Sequence, residues 1–321
     1  MFVLAALLQG VYRALDSGPL EAWYVDAAHA DDPSVPVERA LSQADVVLGA
    51  AIAGGALLSG GLVTWHPSAA ASPLLIPFWV AIGLDLVHLA ASFVLVREVP
   101  SAVTRGRQPG WRAARRAPIV VIQGLRLLRS ARVLRCLVLV EVFWSVAMIA
   151  FELLNSVRLA ELVGGEDRAG GIIGPVSSAA WGLFAGGALL AGQLSRRVGV
   201  AWTALTARVL NGGCVLLMGL AAGPAGLITA FLASYAMHGA AGPVHSTLLH
   251  RQAAPGNRAT VLSMNSMVGG GAHSLGLLAL GPLAERTSTA TAIVVAGAFS
   301  IIGAVLYLPA IRQERDLRSA D

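Results

Sequence analysis

The stretch LVLVEVFWSVAMIAFELLNSV, residues 137–157, decides the fold class of this chain. A helix needs about 20 mostly apolar residues to cross a bilayer, and this stretch has that length. It also carries Glu141 and Glu152, although an ionised side chain at the bilayer centre costs at least about 2.5 kcal/mol. Such residues persist where they face a partner or a wet cavity, so the stretch predicts a membrane helix that belongs to a bundle.

Eight further apolar stretches make the chain a polytopic membrane protein. Hydrophobic residues are 56% and charged residues 13% of the 321 residues, and the mean hydropathy is +0.70, which soluble domains of this length do not show. Helices are the open-ended structure that satisfies its own backbone in lipid, so we expect an all-α fold. The nine predicted spans are 1–27, 44–64, 73–96, 134–157, 172–194, 201–221, 224–248, 259–282 and 289–310.

The arginines orient these spans. All 23 basic residues are arginine; if the first span runs inward, 18 of them lie in inward loops or the tail, three lie outside and two lie within spans. This positive-inside bias predicts an external N-terminus and a cytoplasmic C-terminus in the plasma membrane. The excess of arginine over acidic residues is therefore attributed to membrane topology, and no nucleic-acid partner is expected. The short N-terminal apolar run lacks the features of a cleaved signal peptide.

The longest polar segment divides the chain into three predicted parts. Residues 1–97 hold three spans, residues 98–133 form a basic cytoplasmic linker, and residues 134–321 hold six spans and a short tail. Within the linker, apolar residues alternate with Arg126, Arg129 and Arg132. This pattern fits a basic helix on the inner leaflet, but ordinary topology-fixing charge fits it at least as well.

Three motifs resemble the major facilitator superfamily of transporters, in the drug-efflux-like bacterial branch. SGPLEAWYVD (17–26) resembles its fourth helix, GGALLAGQLSRRVG (186–199) resembles the second-half copy of its loop signature, and NRATVLSMNSMVGGG with GPLAER resembles its eleventh helix. In the loop signature Gly192, Leu194, Arg197 and Gly199 match, whereas Arg196 stands where the family has an acid. The resemblance implies a two-bundle fold whose helices four to twelve are represented, without the first three, and a candidate gating loop formed by Gly192, Arg196, Arg197 and Gly199.

Ionisable side chains within spans are the candidate functional residues. Arg13, Asp16 and Glu21 fall within one helical arc of about 140°, beside a Gly18-Pro19 break that loosens the helix. They are expected either to line a cavity or to hold helices together by charge pairing. Tyr24 in the same segment is a secondary candidate.

The span 134–157 presents the second set of candidates. Glu141, Ser145, Glu152 and Asn155 are predicted to share one face, with about 16 Å between the two carboxylates along the axis. Glu141 and Glu152 are expected either to bind and release protons or to pair with Arg208. The two expectations are compatible.

Asp85 and His88, one turn apart, form a further possible proton pair. His238 and His245 are seven residues apart and share a face, and His273 is paired with Ser266. Intramembrane histidines serve more often in packing than in proton transfer, so His88, His238, His245 and His273 are secondary, as is Asn155.

These residues and the resemblance predict a secondary transporter that exports small molecules in exchange for protons by alternating access, as a monomer in the lipid bilayer. No metal, cofactor or enzymatic activity is expected, since metalloprotease and hydrolase motifs are absent and a phosphate loop needs a lysine. The alternative is a transport-inactive remnant or interaction scaffold, because three family helices are not represented. A membrane enzyme would need a catalytic constellation that the sequence does not present.

Overall fold

The computed structural model describes residues 38–65, 72–95, 122, 126–253 and 258–319. The candidates Arg13, Asp16, Glu21 and Tyr24 lie outside these residues, as does the first predicted span. Every regular element in the described part of the chain is a helix. The helices are α1 Glu38–Trp65, α2 Ile76–Leu95, α3 Arg132–Val163, α4 Glu166–Val198, α5 Val200–Leu220, α6 Pro224–Gln252, α7 Arg258–Arg286 and α8 Thr289–Arg318.

Seven helices in the described residues are long and apolar enough to cross a membrane, which makes the chain an all-α, multi-pass membrane protein. They correspond to the third to ninth predicted spans. The second predicted span lies in α1, whose apolar part, Gly49–Trp65, is shorter than the others. Several helices run beyond the predicted limits, because their polar ends continue the helix past the apolar window.

The chain divides into two compact units. One comprises residues 1–51 and 78–115, the other residues 52–77 and 116–321. In the first unit, α2 has no buried residue, and its large apolar side chains are exposed, as lipid-facing side chains of a membrane helix are.

The second unit is a helical bundle with two apolar core clusters. One contains Trp144, Phe151 and Tyr235, and the other contains Leu137, Leu249 and Tyr307. Helix α6 packs along both α4 and α5, and α8 packs along α5. Just before α3, Leu127 and Leu128 pack against the second cluster while Arg126 and Arg129 are exposed, so the described part of the linker is amphipathic.

Glycines set how closely these helices approach. A Cβ on Gly187 of α4 would overlap the carbonyl of Ala236 in α6, and one on Gly239 would overlap the carbonyl of Phe184. A Cβ on Gly174 of α4 would likewise overlap the backbone of Gly60 in α1. The small-residue clusters of the sequence therefore mark close helix crossings, as expected for membrane helices.

Candidate functional site

Glu141 of α3 is enclosed by polar side chains in the second unit. Its Oε1 lies 3.2 Å from Nε2 of His245 and 3.8 Å from Nη2 of Arg208. The exposed fraction of the side chain is 12% for Glu141, 5% for His245 and 4% for Arg208. The ion pair between Glu141 and Arg208 that the sequence offered as one alternative is therefore present.

His245 is held by hydrogen bonds on both ring nitrogens. Its Nδ1 lies 2.8 Å from the Tyr307 hydroxyl, and its Nε2 lies 3.3 Å from Oδ1 of Asn265. Since Oδ1 and the Glu141 carboxylate are both acceptors, Nε2 carries the proton and Nδ1 accepts from Tyr307 when the ring is neutral. A continuous chain of hydrogen-bonding groups thus runs from Tyr307 through His245 to Glu141.

Arg208 closes this polar cluster, but its donors are incompletely used. The guanidinium carbon lies 4.0 Å from the centroid of the Trp144 ring, a cation–π contact. Nη2 faces Glu141, whereas Nε and Nη1 have no hydrogen-bond partner among the residues that the structure describes. An unsatisfied buried donor costs about 1–3 kcal/mol, so a purely structural ion pair would be expected to satisfy more of them.

Five membrane helices each contribute one member to what we call the polar network: Glu141 from α3, Arg208 from α5, His245 from α6, Asn265 from α7 and Tyr307 from α8. Gly269 of α7 makes room for it, because a Cβ there would lie 3.3 Å from Oε2 of Glu141 and from Oγ of Ser145. Buried charges are stable in a membrane when they are paired in this way.

Glu152 lies in a different environment on the same helix. Residues Ala150–Leu154 form a π turn, in which the Asn155 N–H donates to the Ala150 carbonyl, five residues back. Glu152 is exposed within its unit and interacts electrostatically with Tyr235 of α6. The four residues of the predicted polar stripe differ in burial: Ser145 and Asn155 are buried, Glu141 is largely enclosed, and Glu152, in the π turn, is exposed.

Aromatic rings surround His238 near this carboxylate. The His238 ring is stacked on Trp144 with centroids 4.6 Å apart, and it contacts Phe184 at 5.0 Å and Phe151 at 5.7 Å. Tyr235 contacts Trp181 and Phe151. Because His238 and His245 both contact α3, their seven-residue spacing does place them on one side of α6.

The candidate gating residues lie where α4 ends: Gly192, Arg196 and Arg197 belong to α4, and Gly199 forms the turn to α5. Gly199 has φ +102°, a left-handed conformation that favours glycine, and Arg196 and Arg197 are exposed beside it. Glu314 of α8 accepts hydrogen bonds from the backbone N–H groups of Val200 and Ala201 and from Arg251. The carboxylate thus caps the first turn of α5 from a distant helix.

The remaining candidates do not join the polar network. Asp85 and His88 are exposed in the first unit, and His273 is half-buried in α7. Sequence reasoning missed Asn265, Tyr307, Trp144 and Glu314 as members of polar contacts. Asn265 and Tyr307 are polar residues within apolar spans, a signal that could have pointed to them, whereas no spacing rule could have paired them with His245.

No protein-family model and no curated protein matches the chain. Among solved structures, it is similar to a mutant of the peptide transporter POT crystallised in complex with sulfate, at 15% sequence identity and a TM-score of 0.47. The aligned part covers 56% of this chain and 38% of that transporter, so the chain spans less than half of the transporter's length.

Proposed function

We propose that the chain is the membrane-embedded body of a secondary transporter of the major facilitator type, which exports small organic molecules in exchange for protons. The observation that supports it most is the polar network, in which five membrane helices place an acid, a base and an incompletely satisfied arginine together. The three sequence motifs support the superfamily. The arginines concentrated in the loops predicted to face inward support a plasma-membrane protein with a cytoplasmic C-terminus.

In this proposal Glu141 binds the transported proton. With Glu141 ionised, Arg208 and His245 are both held against it. Protonation of Glu141 removes the charge that attracts Nη2 of Arg208. Nε and Nη1 already have no hydrogen-bond partner among the described residues, so the whole guanidinium group must then find other partners. A change in proton binding on one helix thereby alters contacts between five helices, which is what coupling between protonation and helix movement requires.

Glu152 is proposed to contact the transported molecule. Its side chain is exposed and lies in a π turn. It interacts with Tyr235, whose ring contacts Phe151 in the aromatic cluster. Single π turns occur frequently at functional sites, because they turn a side chain out of the regular helical phase. Arg13, Asp16 and Glu21 are proposed to face the same pathway on the sequence argument given above.

The test is proton flux in liposomes containing the purified chain. Toxic organic compounds that inhibit a deletion strain more than a complemented one supply the substrates. An outward substrate gradient is then imposed, and internal pH is followed with a dye. Glu141→Gln and Glu152→Gln are expected to reduce substrate-dependent proton movement to background, whereas Glu166→Gln, an exposed carboxylate at the start of α4, leaves it unchanged.

Because Glu141→Gln can destabilise the bundle, the exposed Glu152 provides the decisive variant. Unchanged flux and unchanged pH dependence in a folded Glu152→Gln protein would remove Glu152 from the mechanism. Unchanged flux in both variants would remove both carboxylates from the mechanism, and no substrate-dependent flux in the wild type would favour a membrane scaffold that transports nothing.

A further inference from the structure

Helices α4, α5 and α6 enclose a cavity that neither the polar network nor Glu152 uses. Its volume is about 380 Å³, which lies in the ~300–1,000 Å³ range of small-molecule sites. Helices α4 and α5 both pack closely on α6 and contact each other much less, so α6 forms the floor of a groove between them. We call this cavity the lateral groove.

Polar and apolar side chains are segregated along the lateral groove. Its polar members, Gln193, Arg197, Thr203 and Thr206, lie within two turns of Gly199. Farther from the turn its walls are apolar and include Leu190, Leu210 and Met237. Arg197 and Gly187 mark the two ends, about 15 Å apart along α4.

Arg197 provides an available positive charge at the polar end. It makes no ion pair or hydrogen bond with any residue that the structure describes, and no acidic residue lines the groove. Glu314 is near the Gly199 turn, but its carboxylate is occupied by Val200, Ala201 and Arg251. The Thr203 hydroxyl donates to the Gly199 carbonyl, so Arg197, Gln193 and Thr206 remain as donors.

Trp202 and the arginine distribution indicate that the polar end of the groove lies near the lipid headgroups. Trp202, three residues after the Gly199 turn, is 49% exposed. Tryptophan concentrates at membrane–water interfaces, and this turn belongs to the side that the arginines predict to be cytoplasmic. A ligand held by Arg197 would therefore have its charged group in the headgroup layer and its remainder in hydrocarbon.

We propose that the lateral groove binds one anionic phospholipid of the cytoplasmic leaflet. The phosphate group is held by Arg197 with Gln193 and Thr206, and one acyl chain lies between Leu190 of α4 and Leu210 of α5. Basic pockets between membrane helices on this side are suited to anionic headgroups.

The experiment measures lipid binding to the purified full chain by native mass spectrometry in detergent. The wild-type protein is titrated with phosphatidylglycerol, phosphatidylcholine of the same chain length, or inorganic phosphate. We expect one retained phosphatidylglycerol, weaker phosphatidylcholine binding and no retention of phosphate. Arg197→Gln should weaken phosphatidylglycerol binding at least about tenfold, since it removes a charge-assisted hydrogen bond.

Two further variants separate the lateral groove from general surface charge. Arg196→Gln removes the same charge from the neighbouring residue, which does not line the groove, and is expected to change binding less than about twofold because exposed charges are screened. Thr206→Trp fills the groove from its exposed wall and should abolish the retained lipid. The melting temperature of each lipid-free variant verifies folding.

Three results would overturn the proposal. Equal effects of Arg196→Gln and Arg197→Gln would indicate a diffuse basic surface. Equal competition by inorganic phosphate would indicate a free-anion site. A wild-type dimer that Thr206→Trp converts to monomer would indicate that a second copy of the chain occupies the groove.

Discussion

Glu141 and Glu152 lie on one membrane helix, eleven residues apart, yet their surroundings differ in every respect. Glu141 is largely enclosed and faces Arg208 and His245, whereas Glu152 is exposed beside Tyr235. The two carboxylates have the same chemistry, so the difference comes from where each lies along α3, with Glu152 inside the π turn. Position relative to a bundle, and not residue type, sets what an intramembrane acid can do.

The enclosed position links the charge of Glu141 to helix packing more directly than the exposed position links the charge of Glu152. Removing charge from Glu141 leaves Arg208 buried and unpaired, so protonation and helix packing are linked there. Removing charge from Glu152 acts at an exposed side chain, so it should disturb packing less.

Glu141→Gln should give the largest loss of stability. Breaking a buried ion pair by removing one partner costs about 3–5 kcal/mol, because the other charge stays uncompensated. The free energy of unfolding is measured by SDS titration of the purified protein in mixed micelles. Glu152→Gln, on the same helix, is the matched control and should lose less stability than Glu141→Gln, because its side chain is exposed.

A double variant sharpens this result. Glu141→Met combined with Arg208→Met replaces both charges by apolar groups, so it should recover most of the stability that Glu141→Gln loses. If the double variant is as unstable as the single one, the loss arises from packing around Glu141 and not from an unpaired arginine.

Two adjacent glycines of α4 also differ in that one is enclosed and the other is open. Gly187→Ala places a methyl group against the carbonyl of Ala236, so it should cost about 1–3 kcal/mol through overpacking of the α4–α6 crossing. Gly186→Ala meets nothing within 4 Å and should gain up to about 1 kcal/mol from helix propensity. Melting temperatures of the two variants test this; equal shifts would contradict the close crossing.

The apolar windows predicted the membrane helices well because hydropathy reports the lipid environment directly. The seven spans from residue 73 onward each correspond to a long helix, and only their ends differ. Charged ends such as Glu166 and Arg318 carry no membrane signal, although they continue their helices. Helix limits therefore extend beyond what an average over apolar residues can detect.

The site was predicted only in part, because pairing between distant helices leaves no local trace. Arg208 was found as a partner of Glu141 since both are charges in lipid, whereas Tyr307 lies more than 160 residues from Glu141 and is neutral. The π turn has no sequence signature, so the phase of Glu152 could not be derived from 100° per residue. The side that faces a partner helix is fixed by tertiary packing.

Tyr307→Phe tests whether the hydrogen-bond chain behind Glu141 is needed. The variant keeps the ring but leaves Nδ1 of His245 without its donor, which should cost about 1–2 kcal/mol in the free energy of unfolding. Tyr235→Phe is the matched control: its ring packs in the aromatic cluster, and this hydroxyl lies outside the polar network. SDS titration of both variants gives the comparison.

The functional readout of Tyr307→Phe separates proton transfer from packing. If His245 passes protons to Glu141, the variant should slow substrate-dependent proton flux and change its pH profile, because the ring has lost the group that fixes its tautomer. If the network serves packing alone, flux at matched amounts of folded protein should keep the wild-type pH profile. A small stability loss with an altered pH profile would place Glu141 in the proton pathway.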